Sequence, residues 1–182
     1  MALSARHIGE LIGELRPLLE GLVVLDVEAL PPRDLLLVLE DAGGVRRLRL
    51  SADPVAPRIH LQSARVRSHR GPVGPFFRRA KDELSGRRIV TVEQVGDDRI
   101  VRLVLDGGAE RRLLAELVGR HANLVLADGD ERVLAVLVPH RPDKARLGPR
   151  LVPRLVIGGP WTPPPGRPTG RGGPSLREAF DL

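Results

Sequence analysis

The chain has 182 residues, 42% of them apolar, and no cysteine, so disulfides and thiol chemistry are excluded. That length holds one domain with a real core plus a tail. The formal net charge is +6, and it is unevenly spread: Pro54–Val90 holds nine basic residues against Asp82 and Glu83. Such a block points to a polyanionic partner.

Other classes fall away quickly. No apolar run approaches the length of a membrane span, and no charged start, apolar middle and small-residue cleavage site open the chain. The expectation is a cytoplasmic protein with no membrane partner. The histidines, His7, His60, His69, His121 and His140, are scattered without metal-ligand spacing, so neither a metal nor a cofactor is expected. No Gly-rich phosphate loop precedes a helix, and GxSxG and HExxH are absent. Enzyme chemistry is not expected on these grounds.

The first element in chain order is a helix. Ser4 caps it, and Ile8, Leu11, Ile12, Leu15, Leu18 and Leu19 follow helical spacing. Pro17 should kink or shorten it, and Gly21 should end it. Four short β-rich runs follow at 22–27, 35–40, 45–51 and 58–62, with Ala42–Gly43–Gly44 as a hairpin turn. Residues 65–75, RVRSHRGPVGP, read as a basic loop, and FFRRAKDELSG (76–86) as a second helix with Phe76, Phe77, Ala80 and Leu84 on one face.

Five further strands are predicted at 89–95, 99–105, 111–118, 123–128 and 132–138. Asp97–Asp98, Asp106–Gly107–Gly108 and Asp128–Gly129–Asp130 supply the turns between them. Short connections imply antiparallel neighbours. The fold class is therefore α+β, a mostly antiparallel system of about nine strands with two helices. The domain is expected to cover residues 1–153, and residues 154–182 a Pro/Gly-rich linker or disordered tail.

Three polar clusters stand out. Arg65, Arg67, Arg70, Arg78, Arg79, Lys81, Arg87 and Arg88 form the basic one, suited to the backbone of a nucleic acid. Glu116, Arg120, His121 and Asn123 crowd a tight connection; either their side chains bond the backbone of a turn, or they form a polar site. In VGDDRIVR (95–102), Arg99 shares a face with Val101, Leu103 and Leu105, at the mouth of what should be a buried surface. Asp98–Arg99 is either a salt bridge closing a hairpin or a site.

SADPVAPRIHL (51–61), GRRIVTVEQVGDDRIVRLVL (86–105) and ELVGRHANLVLAD (116–128), in that order, resemble the N-terminal domain of the NFACT family, the group of RqcH, NEMF and fibronectin-binding protein A. The resemblance spans about residues 3–140, and WTPPP falls where the family domain leads into its helix–hairpin–helix region. It implies an RNA-binding role in ribosome-associated quality control, with tRNA and the large ribosomal subunit as partners. It also implies that Asp98 and Arg99 handle tRNA, and a fold similar to the N-terminal domain of formamidopyrimidine-DNA glycosylases.

Two positions depart from the family pattern. Ser4 stands where an acid is frequent, and Lys81-Asp82-Glu83-Leu84 replaces a basic helix end. The family's coiled coil and C-terminal RNA-binding domain lie outside this sequence, so it is expected to be truncated or reduced. Glycosylase chemistry, which needs an N-terminal proline amine, meets Met1-Ala2 here. Fibronectin binding or a protein-interaction scaffold is the remaining alternative.

Overall fold

The computed structural model describes residues 4–67, 69–139 and 153–165. Helix α1 (Ala5–Leu19) starts at a reciprocal cap: Ser4 Oγ accepts from His7 N at 3.2 Å, and His7 Nδ1 accepts from Ser4 N at 3.3 Å. Pro17 does not shorten it. The proline sits in the last turn, where the helix loses one backbone bond and then stops anyway. Gly21, at φ 91°, turns the chain out.

All nine expected strands are present, and they form one antiparallel sheet. They are β1 (Val23–Leu30), β2 (Asp34–Asp41), β3 (Gly44–Ser51), β4 (Arg58–Leu61), β5 (Arg88–Gln94), β6 (Ile100–Asp106), β7 (Arg111–Glu116), β8 (Asn123–Asp128) and β9 (Val133–Val136). Helix α2 (Pro75–Leu84) lies between β4 and β5 in sequence. The strand order is β4-β3-β2-β1-β5-β6-β7-β8-β9.

The joint between β1 and β5 is narrow. Val23 pairs with Arg88, flanked by backbone bonds from Gly21 N to Ile89 O and from Val24 N to Arg87 O, both 2.8 Å. Both strands carry a register shift there, at Val24/Asp26 and Ile89/Thr91. Such irregularities increase local twist and bend the strand. The sheet therefore divides into two halves, β4–β1 and β5–β9.

One core joins the halves. Leu35, Leu37, Leu39, Leu48 and Leu50 from the first meet Val101, Leu103, Leu105, Leu113, Leu124 and Leu126 from the second. Ile8, Ile12, Leu15 and Leu19 of α1 and Phe76, Phe77, Ala80 and Leu84 of α2 complete it. Each fully buried leucine or phenylalanine contributes about 1.5–3 kcal/mol, so this cluster is the main source of stability.

A smaller core lies on the other face of β5–β9: Ile100, Leu114, Val125, Ala127 and Val133 under Leu155 and Trp161. The linker expected from residue 154 is thus packed over 153–165. Gly158 N and Val133 N exchange bonds with Val133 O and Gly159 O at 2.8 Å, extending the sheet beyond β9. Proline and glycine deny this stretch a regular element, but one tryptophan and one arginine tie it down. The rest of the expected tail, from residue 166, lies outside the described residues.

Candidate nucleic-acid interface

Asp98 and Arg99 close the β5–β6 hairpin, where Val95 N bonds Ile100 O at 3.0 Å. Both are half-buried. Val101, Leu103 and Leu105 are fully buried, so Arg99 does stand at the mouth of a buried face. The hairpin salt bridge is not there. Asp98 Oδ1 accepts instead from the backbone N of Arg99 at 2.7 Å. Arg99 O accepts from Leu117 N at 2.8 Å. The Arg99 backbone is fixed on two sides, and its guanidinium has no partner among the described residues.

Several other arginines of this half of the sheet are partnered. Arg102 pairs with Glu93 and Glu131, Arg111 with Glu83, and Arg112 with Glu110 and Glu131. Arg120 Nε meets His121 Nε2, and Arg132 Nη1 meets Gly158 O.

Gln94 connects the hairpin to α1. Its Nε2 donates to Ala5 O at 2.9 Å and to Asp98 O at 2.7 Å. The start of α1, with Ser4 at its cap, is therefore held beside Asp98–Arg99. The sequence put these positions far apart, and Gln94, not singled out there, brings them together.

The basic cluster splits in two. Arg79 pairs with Glu83 at 2.7 Å and Lys81 with Asp26 at 2.8 Å, and that Asp26 carboxylate holds the Lys81 ammonium above its usual pKa. Arg87 bonds the Glu83 and Ala109 carbonyls, and Arg88 the Gly21 carbonyl. Arg65, Arg67, Arg70 and Arg78 are exposed and have no partner among the described residues.

The third cluster does not converge. Glu116 is fully buried; Arg154 reaches its two oxygens at 2.8 and 2.6 Å, and Trp161 Nε1 donates to it at 2.9 Å. Asn123 Oδ1 accepts from Leu124 N and Val138 N, and its Nδ2 donates to Val138 O, each at 2.9 Å. Those bonds serve the backbone. Arg120 and His121 stay exposed in the 3₁₀ turn Gly119–His121.

The quoted SADP motif is also structural. Asp53 Oδ1 accepts from Val55 N at 2.8 Å and Ala56 N at 2.9 Å, which shapes the turn into β4. The Ala56 and Val55 bonds hold the Asp53 carboxyl below its usual pKa.

Several known proteins are similar. The chain is 29% identical over 114 residues to the Rqc2 homolog RqcH of Streptococcus pneumoniae, covering 59% of this chain and 20% of that protein. It is 29% identical over 109 residues to the Rqc2 homolog RqcH of Bacillus subtilis, covering 56% and 19%. The chain thus spans about a fifth of the length of these curated relatives. The crystal structure of the N-terminal domain of fibronectin-binding protein PavA from Streptococcus pneumoniae matches 92% of this chain and 66% of that one, with TM-score 0.77 and 24% identity. The N-terminal structure of the fibronectin/fibrinogen-binding protein of Streptococcus suis matches 91% and 62%, with TM-score 0.78 and 20% identity. At that identity the two structures support the fold. The family itself follows from a model described as NFACT N-terminal and middle domains, which matches residues 7–169: this chain belongs to the NFACT family.

Proposed function

We propose that the chain is an RNA-binding module of ribosome-associated quality control, acting in the cytoplasm on tRNA and the large ribosomal subunit. Asp98 and Arg99 form the tRNA contact. The observation that carries this is Arg99: a half-buried residue on a fixed backbone, its guanidinium unpaired among the described residues while Arg102, three residues on, is paired. A planar fork in that setting suits a phosphate. Asp98 positions it through the backbone. Exposed Arg65, Arg67, Arg70 and Arg78 add sequence-independent attraction to the RNA backbone.

The folded unit in this reading includes the packed segment 153–165, and further family domains act with it. Kinship with the N-terminal domain of formamidopyrimidine-DNA glycosylases belongs to the same reading, as a shared scaffold. Titration with tRNA and with purified large subunits tests the proposal. Asp98→Ala with Arg99→Ala should melt within about 1 kcal/mol of the parent. It should bind at least about tenfold more weakly, the loss of a hydrogen bond to a charged group being roughly 1.5–3 kcal/mol. Arg99→Lys should not restore binding, because a point charge lacks the fork. A double variant that loses stability and keeps its binding makes the pair structural. Immobilised fibronectin, bound at physiological salt while RNA is not, would favour the adhesion alternative.

A further inference from the structure

The outer face of the β1–β4 half carries a second arrangement. Cross-strand register places Leu36 opposite Glu28 on β1 and Arg49 on β3, and Arg49 opposite His60 on β4. Arg49 is held from below. Its Nε donates to Asp34 Oδ2 at 2.7 Å and its Nη2 to the same oxygen. Ser51 Oγ donates to Asp34 Oδ1 at 2.6 Å, and Asp34 is 8% exposed. Arg49 Nη1 is left without a partner among the described residues, on a guanidinium fixed in direction.

Beside it lies a cavity of about 1070 Å³, lined by Arg49, Arg65, Arg67 and Arg70 and by His69. Leu30 and Pro31 form an apolar wall. No carboxylate is among its described lining residues; Asp34 beneath is paired with one of the four arginines, and Glu28 stands two strands from Arg49 on the same face. Clustered like charges repel, and an anion seated between them relieves that repulsion. Pockets that take whole small ligands are about 300–1,000 Å³, so the space exceeds one phosphate. Neither Phe nor Trp lines it, which removes the stacking platform that base-reading single-strand sites use.

We propose that this cavity seats two or more adjacent phosphates of a nucleic-acid backbone, with Arg49 as a fixed anchor and Arg65, Arg67 and Arg70 closing on them. The ligand's identity and the part of Arg65, Arg67 and Arg70 rest on the RNA-binding reading above; the cavity and its Arg49 anchor are new to it, and Asp98 and Arg99 lie outside the lining. Contact is to phosphate and indifferent to base sequence.

The test uses sodium tripolyphosphate, inorganic phosphate, and labelled oligo-U and oligo-A against the full chain. Tripolyphosphate should shift the amide resonances of Arg49 and of residues 65–70 more than phosphate does, and should displace either oligomer. Oligo-U and oligo-A should bind alike. Arg65→Ala with Arg67→Ala and Arg70→Ala alters exposed side chains, so its melting point should match the parent's. Its oligomer affinity should fall at least about tenfold, and its log–log salt slope should shrink by about 2, three phosphates at roughly 0.7 each. A triple variant that binds with the parent's affinity and slope overturns the site, as do tripolyphosphate shifts confined elsewhere. Tighter binding to phosphatidylglycerol vesicles than to RNA overturns it in favour of a lipid surface. If Asp98→Ala with Arg99→Ala weakens RNA binding and the triple variant does not, the cavity fails and the RNA-binding reading stands. If the parent binds no RNA, that reading fails, and the tripolyphosphate shifts still decide whether the cavity takes phosphates.

Discussion

The two halves of the sheet treat their outer faces in opposite ways. On β5–β9 the face is closed. The segment 153–165 covers it, and charge meets charge: Glu93 with Arg102, Arg102 and Arg112 with Glu131, Arg154 with Glu116. The Arg102 guanidinium lies 5.9 Å from the Trp161 ring centroid, within cation–π range. One orphan remains there, the buried Arg102 Nε. On β1–β4 Leu36 and Val38 are buried as well, but most of the cations around them have no carboxylate. Arg49 is anchored to Asp34, while Arg47, Arg65, Arg67 and Arg70 have no partners among the described residues. Breaking a buried pair strands an uncompensated charge, so the closed face is sensitive to losing either partner. Unpaired cations round a cavity contribute little to stability and attract anions. The first face should therefore fail as folding, the second as binding.

Cutting the closed face at its buried carboxylate gives the largest expected effect. Arg154→Ala leaves fully buried Glu116 with Trp161 Nε1 as its partner. Removing one member of a buried pair costs about 3–5 kcal/mol. The Arg154 side chain is 23% exposed, which places the loss near the lower end. For a domain of this size that is a drop in melting temperature of roughly 6–12 °C. Trp161 is the one tryptophan in the chain and is 5% exposed, so its emission reports whether the segment stays docked. Arg154→Ala should shift that emission to longer wavelength below the melting transition. Parent-like stability with unshifted emission would mean the cover is decoration, and the contrast between the faces would collapse.

The β1–β4 face has a smaller, pH-dependent signature at His60. Burial, then Arg58 and Arg49, push its pKa below the usual 6.5, with Asp34 pulling partly the other way. Its Nδ1 is buried without a hydrogen-bond partner among the described residues. A depressed folded pKa means that the unfolded chain takes the proton first. The stability this imidazole contributes is therefore present above 6.5 and lost as pH falls below that value. Between about pH 7.5 and pH 5.5 the parent should lose more denaturant stability than His60→Gln. Parallel pH profiles for the two proteins would remove His60 from the account.

Much of this was legible in the sequence, and the failures are local in cause. Alternation and turn residues placed both helices and all nine strands, because each strand buries one face and most of the turns carry a glycine or aspartate, the β1–β2 turn at Pro31–Pro32–Arg33 excepted. The cover was misread because its composition denies it a ladder, while its anchors lie 38 and 45 residues from Glu116. No sequence window holds both ends of such a contact. Lys81 and Arg88 counted as free cations because Asp26 and the Gly21 carbonyl come from the fold, whereas the Arg79–Glu83 pair, four residues apart on one helix, was open to a sequence reading. Arg49 was overlooked inside VRRLRLS, where it reads as an ordinary outward residue. The hairpin register held the clue: the turn at 42–44 puts Asp34 opposite Ser51 and within reach of Arg49.

The smallest effects belong to α1, which runs from the Asp98–Arg99 hairpin into the shared core, and there one substitution made twice separates binding from stability. A Cβ at Gly13 meets nothing within 4 Å. Gly13→Ala should then recover helix propensity alone, a stabilisation of up to about 1 kcal/mol. At Gly9 the added Cβ would lie 3.0 Å from Gln94 Oε1. That atom is the far end of a flexible side chain, so the amide turns aside more readily than the helix moves. The propensity gain and the displaced contact nearly cancel, and Gly9→Ala should stay within about 0.5 kcal/mol of the parent. The displaced amide is the one that ties Ala5 O to Asp98 O. Gly9→Ala should therefore weaken tRNA binding while Gly13→Ala does not, with both proteins fully folded. Equal binding by the two variants would show that Asp98 and Arg99 hold their geometry without Gln94.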